Sequence, residues 1–277
     1  MRVASVRAMS HLVLLEGLRR VDPATPLLRA DDLGVLRGES VFETLRISGG
    51  RPAFLATHLA RLAVSADRLD LTLPHGWEDL ALTACDGVDE GVLRLVCAKG
   101  PPPLGFALVT DIPADAVRGR TFGVPAVTLT LGVTAAQRAE APYLLGGVKS
   151  TSYAINMATL RHARALGAEE AIWVSSDGEL LEAPTATVAL IVNGVLVTPP
   201  TSVGILAGTT LGAVLALDQV PSDVRRVTVG ELHAADEVML LSSVRGVAPV
   251  VSLDGRELGV GPVTVDLRDA FEASLLR

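Results

Sequence analysis

The sequence predicts an α+β fold in two parts, with hairpin-forming strands set beside helices. Three observations carry this. Strand-like apolar runs and helix-periodic segments are mixed without the strict alternation that a doubly wound parallel sheet needs. Asp177-Gly178 and Asn193-Gly194 interrupt apolar runs with residue pairs that supply the positive φ angles of tight hairpins. Polar and small residues over 111–123, with Pro113 among them, mark a boundary. The expected division is a small N-terminal α+β domain at 1–115, an interdomain linker at 116–123 and a larger C-terminal domain at 124–277.

In the first part, strand runs are expected at 12–15, 40–47, 92–97 and 106–110, and helices at about 52–69 and 77–85. The second part opens with a strand at 126–131, a loop carrying Lys149, and an amphipathic helix at about 153–166 that Gly167 can cap. Strands at 171–174, 187–192 and 195–198 follow, joined by the two Gly turns. Beyond Pro199-Pro200, a loop with Gly204 and Gly208 leads into a helix at 209–217. Strands near 226–229, 238–241 and 247–253 and a C-terminal helix complete the chain.

With 277 residues, 49% of them apolar and 20% charged, the chain buries a sizeable core, which excludes disorder. Its net charge of −7 is dispersed, with no basic stripe for a phosphate backbone, so no nucleic-acid partner is expected. No apolar run reaches the ~18 residues that span a bilayer, and the stretch at 186–197 is broken by Asn193-Gly194. The run at 11–15 ends at Glu16 with no clear cleavage site behind it, so a cytoplasmic protein without a membrane partner is expected. Cys85 and Cys97 have neither disulfide nor metal spacing, and the five histidines are isolated, so no metal is expected. No GxSxG elbow and no GxxxxGK[ST] loop is present.

The 24 basic residues are 22 arginines and two lysines, Lys99 and Lys149, a bias that a GC-rich genome explains. Arginine forms no imine, so a chain that uses it almost everywhere must still keep lysine at a covalent site. Lys149, just before a helix, is placed for a Schiff-base amine; a solvated surface charge is the plainer alternative. Glu182, in Leu180-Leu181-Glu182-Ala183-Pro184, is a carboxylate beside an apolar strand. There it needs a cationic partner, such as a protonated pyridine nitrogen, unless it is an edge carboxylate in water. Thr209 and Thr210 open a helix after the glycine loop and could meet an anion. Arg61, in His58-Leu59-Ala60-Arg61-Leu62, and the Ser242-Ser243 pair are further phosphate candidates, with an exposed arginine paired to acids and ordinary loop serines as alternatives.

These pieces stand in a recognisable order: Gly38-Glu39-Ser40-Val41-Phe42-Glu43-Thr44-Leu45-Arg46, the His58 to Leu62 motif, Lys149, Gly167-Ala168-Glu169-Glu170-Ala171, Asp177-Gly178, Glu182, Asn193-Gly194, Thr198-Pro199-Pro200 and Gly204-Ile205-Leu206 with Gly208. From about residue 11 to the end the chain resembles the class IV aminotransferase family of pyridoxal-phosphate enzymes. The resemblance implies a two-domain fold of type IV, similar to D-amino acid aminotransferases, working as a homodimer with the cofactor in the cleft between domains. It implies that Lys149 carries the cofactor and that Glu182 pairs with its ring nitrogen. It also implies that Arg61, Thr209, Thr210, Ser242 and Ser243 hold its phosphate. Tyr153 matches a position that in some members is a cofactor-contacting tyrosine.

Two departures bear on the reaction. Glu182-Ala183-Pro184-Thr185-Ala186-Thr187 stands where the family often has Glu-Gly-x-x-x-Asn, and Leu211 stands where it often has arginine. Both argue against a typical branched-chain aminotransferase. The variant is most similar to actinobacterial aminodeoxychorismate lyases. That implies release of pyruvate and 4-aminobenzoate for folate synthesis from a small-molecule amine. A D-amino acid or branched-chain transaminase is the alternative, and a non-catalytic cofactor-binding or scaffold protein a remote one. Lys99 sits where relatives commonly have an arginine that meets substrate carboxylates, with Arg94 and Arg245 as weaker candidates and a solvated loop lysine as the alternative. Phe42 and Thr44 follow the family's first-domain motif and are expected to line the substrate pocket, although Phe42 could equally be core.

Overall fold

In the computed structural model, which describes residues 10–275, the chain divides into two compact units. Of the described residues, 10–113 and 149–152 make up the first, and 114–148 and 153–275 the second.

The first unit is built on an antiparallel sheet of β1 (Ser10–Leu14), β2 (Arg20–Val21), β3 (Ser40–Ser48), β4 (Arg51–Pro52), β5 (Gly91–Ala98) and β6 (Leu104–Thr110), in the order β2-β1-β6-β5-β3-β4. After the short α1 (Leu33–Leu36), helices α2 (Leu55–Arg68) and α3 (Trp77–Cys85) follow. Alternation in β3 decides which residues face these helices: Val41, Leu45 and Ile47 are buried in a core with Leu62, Leu80, Leu93 and Leu95. Glu43 shares that buried set and is the exception to its apolar character. Phe42 and Thr44 lie on the opposite face of the strand, and Thr44 is directly across from Arg94 on β5. Residues 149–151 run along the start of β3 and pair with it through a bridge between Val41 and Ser150.

The second unit begins with α4 (Ala114–Phe122), where the sequence led us to expect a linker at 116–123. The small residues that suggested a loop are packing devices. Ala116 and Gly119 are the buried residues of the helix, and a Cβ on Gly119 would come within 3.0 Å of Val124. Next come β7 (Val124–Thr130), α5 (Ala135–Glu140), α6 (Ala154–Ala165), β8 (Glu170–Val174), β9 (Thr187–Val192), β10 (Val195–Thr198) and α7 (Thr209–Ala216). β11 (Ser222–Val224), α8 (Val229–Ala234), β12 (Glu237–Ser242), β13 (Gly246–Leu253), β14 (Arg256–Glu257) and α9 (Pro262–Ser274) complete it. The strands form a mixed sheet in the order β11-β10-β9-β12-β13-β7-β8, with β14 paired to β13.

The strand expected near 226–229 is not formed. Thr228 instead caps α8, accepting the N–H of Glu231 while the Glu231 carboxylate accepts the N–H of Thr228. This reciprocal box commits the segment to a helix. Asn193-Gly194 makes the β9–β10 hairpin with both residues at positive φ, and Gly167 ends α6 in the left-handed region. Among the described residues no helix is long and apolar enough to cross a membrane.

Leu62 tests the first core, because it is fully buried between α2 and the sheet. Leu62→Ala should lower unfolding free energy by about 2–5 kcal/mol, measured by denaturant titration, since the packed neighbours cannot collapse into the space.

Candidate active site

Lys149 is held in the first unit by its main chain. Its N–H donates to Ser65 Oγ at 3.1 Å, and its carbonyl accepts the N–H of Phe42 at 3.1 Å. Thr151 N–H donates to the Ser40 carbonyl at 2.9 Å, which continues the pairing along β3. The Lys149 ammonium lies 4.5 Å from the centre of the Phe42 ring, within cation–π range. Phe42 is therefore neighbour to the lysine and not part of the buried core.

On α2 of the same unit, Arg61 is partly buried and paired, not the exposed arginine of the alternative. Its Nε and Nη2 donate to the two oxygens of Glu43 at 2.7 and 2.6 Å, a bidentate pair. His58 Nδ1 donates to the same carboxylate at 2.6 Å. Burial pushes the Glu43 pKa up, but hydrogen bonds from Arg61 and His58 outweigh it and bring the group down to about 2. Burial lowers the His58 pKa, and the Arg61 and Lys149 charges act in the same direction. A neutral imidazole with its proton on Nδ1 satisfies this geometry.

Of the residues expected to meet substrate, Lys99 forms an ion pair with Glu39 at 2.6 Å and donates to the Leu69 carbonyl at 3.1 Å. Its charge is thus already compensated. Arg94 is exposed on β5 across from Thr44. The Arg245 guanidinium, in the second unit, is committed to the buried Glu170 carboxylate of β8, so a structural ion pair accounts for it.

In the second unit, Glu182 is buried, and its carboxylate accepts from Arg138 Nη2 at 2.9 Å and from the Leu206 N–H at 3.1 Å. Arg138 lies on α5, 5.8 Å over the Trp173 ring. Asp177 accepts the Ala135 N–H at the start of that helix. Gly204, at φ +79°, passes so close that a Cβ there would lie 2.7 Å from the Arg138 backbone. Tyr153 Oη and Asn156 Nδ2 both donate to the Pro184 carbonyl, at 3.2 and 2.7 Å, and so brace the turn after Glu182. Thr209 and Thr210 are buried at the first turn of α7, where backbone N–H groups lack intrahelical acceptors. Ser242 ends β12 opposite Gly246, and Arg120 donates to the carbonyls of Val244 and Arg245 in the intervening turn.

Sequence reasoning assigned no role to Ser65, Arg138, Glu43 or His58. The last two stand in the quoted motifs, but Arg138 is 44 residues from Glu182 in an unremarkable Ala-Ala-Gln-Arg-Ala-Glu run. Among the described residues no cluster of ligating side chains could hold a metal ion. Burial pushes both cysteine thiols up to about 12, which leaves them unreactive at neutral pH.

The family model for amino-transferase class IV matches residues 40–253, and the chain belongs to that family. A relative from Mycobacterium tuberculosis, named a bifunctional aminodeoxychorismate lyase / D-amino acid transaminase, is 36% identical over 96% of this chain and 99% of its own length. A D-alanine aminotransferase from Bacillus licheniformis is 30% identical over 89% of this chain and 91% of its own. Among solved structures, a hypothetical aminotransferase from Mycobacterium tuberculosis in its PLP-bound form superposes with a TM-score of 0.91, at 35% identity over 97% of this chain and 99% of that one. A fold IV transaminase from Curtobacterium pusillum gives 0.90 at 36% identity, over 96% and 99%.

Class IV aminotransferases use pyridoxal phosphate, an aldehyde with a basic ring nitrogen and a phosphate. Each unit offers donors of a kind that suits such a group: the first a lysine amine and a partly buried arginine, the second a buried carboxylate and hydroxyls at a helix start.

The depressed Glu43 pKa fixes the sign of an acid effect. Its stabilisation is complete above the unfolded carboxyl value of 4.5 and is lost as pH falls toward about 2. Glu43→Gln should therefore cost on the order of 3 kcal/mol at neutral pH and flatten the acid limb between those values, read from thermal midpoints against pH.

Proposed function

We propose that this chain is a pyridoxal-phosphate-dependent 4-amino-4-deoxychorismate lyase that releases pyruvate and 4-aminobenzoate for folate synthesis, acting as a cytoplasmic homodimer. The observation that carries the reading is near full-length similarity to the bifunctional mycobacterial relative, together with a lysine whose main chain is bound on both sides. D-amino acid transamination is the second reading, supported by the other half of that relative's name and by the Bacillus licheniformis enzyme.

When bound, pyridoxal phosphate supplies an electron-poor ring, linked to the substrate nitrogen, that stabilises negative charge at the amine-bearing carbon. In this reading Lys149 Nζ is the amine to which the cofactor attaches. The same Nζ would be the base that takes the proton from the amine-bearing carbon of the substrate. Glu182, which accepts from Arg138 and the Leu206 N–H, would be the carboxylate that faces the ring nitrogen. Arg61, Thr209, Thr210, Ser242 and Ser243 bind the phosphate, and Tyr153 contacts the cofactor while it braces Pro184. Phe42, Thr44 and Arg94 are the substrate-side candidates, with Lys99 once it leaves Glu39. In the lyase reaction the proton would leave the amine-bearing carbon, the electron pair would break the carbon–oxygen bond so that the ring becomes aromatic, and the expelled enolpyruvate would take up a proton at carbon to give pyruvate.

Borohydride reduction of the yellow protein should fix the cofactor on the peptide carrying Lys149, and Lys149→Arg should be colourless after the same treatment; label on Lys99 would defeat the assignment. Given aminodeoxychorismate, the protein should form pyruvate and 4-aminobenzoate in equal amounts. Rapid keto-acid formation from D-amino acids with no pyruvate from aminodeoxychorismate would transfer the conclusion to the second reading.

A further inference from the structure

Ser65 is fully buried on α2, on the face that also buries Leu62 and Ala66. The partner that the structure gives its hydroxyl is the Lys149 N–H, which it accepts at 3.1 Å. Arg61 stands one turn earlier on the same helix, where residues four apart share a face. The Arg61 guanidinium is fixed by Glu43, and the Lys149 carbonyl is fixed by Phe42, the strand neighbour of Glu43. One helical turn and one strand segment therefore set the lysine backbone and the arginine side chain in a common frame.

We propose that Ser65 is a positioning residue for Lys149, acting through the lysine's backbone N–H to fix where its amine stands relative to Arg61, and so setting how tightly pyridoxal phosphate is captured. Ser65 does not itself touch the cofactor. The inference rests on Lys149 being the cofactor lysine.

Ser65→Ala, Ser65→Val and Ser65→Thr in the full chain separate the hydroxyl from the volume, because valine and threonine share a shape and differ in that group. The readouts are the dissociation constant for pyridoxal phosphate, the visible band of the bound cofactor, and the thermal midpoint of cofactor-free protein. The Ala and Val variants should bind roughly tenfold more weakly with a shifted band, while Thr stays within about twofold of the starting protein. A merely structural serine would lower the cofactor-free midpoint without separating Thr from Val in affinity or band position. Wild-type affinity and band in Ser65→Ala, equal impairment of Thr and Val, or failure of Ser65→Ala to fold would each overturn the proposal. Borohydride labelling of the unmodified chain keeps the two levels apart. Label on Lys99, or none, overturns the assignment of Lys149; label on Lys149 with indifferent Ser65 variants overturns only the positioning role.

Discussion

Glu43 carries a full negative charge with no exposed surface, in a strand whose neighbouring core positions are aliphatic. A carboxylate left alone there would cost several kcal/mol, so the groups that meet it are fixed by necessity. Arg61 and His58 supply those groups from one face of α2, and they bind both carboxylate oxygens. The consequence is register: α2 cannot slide or rotate on β3 without stranding the charge. Leu62, between the two polar partners and Ser65, is carried into the core by the same constraint.

The second unit solves a related problem with the same chemistry and different parts. Glu182 is also a buried carboxylate bound by an arginine, yet its partner comes from a short helix whose start is capped by Asp177 and whose backbone is pressed by Gly204. Arg138 Nη2 donates to one of its oxygens and the Leu206 backbone N–H to the other. Glu43 is met by two side chains of one helix, whereas Glu182 is met by a side chain and a backbone N–H from separate segments.

Much of the fold was legible because local chemistry agreed with it. The Asn193-Gly194 hairpin and helix α3 lie where periodicity and turn residues put them. The linker expected at 116–123 falls largely within a helix, because small and polar residues, which signal a loop, also let a helix pack closely on a strand. The strand expected near 226–229 does not form because the Thr228 and Glu231 capping box outweighs the β propensity of its β-branched residues. Lys149 stood out through scarcity, since the chain uses arginine at 22 of its 24 basic positions. Ser65 and Arg138 gave no such sign: one is a serine in an apolar helix face, the other an arginine among many, and only long-range contacts give either a task.

Residues 149–152 belong to the first unit, although the chain on both sides of them belongs to the second. Four residues thus stitch a covalent loop into a body that ends, by sequence, at residue 113. The two units are therefore not exchangeable modules. A cut or a recombination joint between them gives a first unit with an unpaired start to β3 and a second without its excursion. The lysine is thus carried to its strand by a stretch of chain that belongs to the other unit on either side, and a division at residue 113 would part the two.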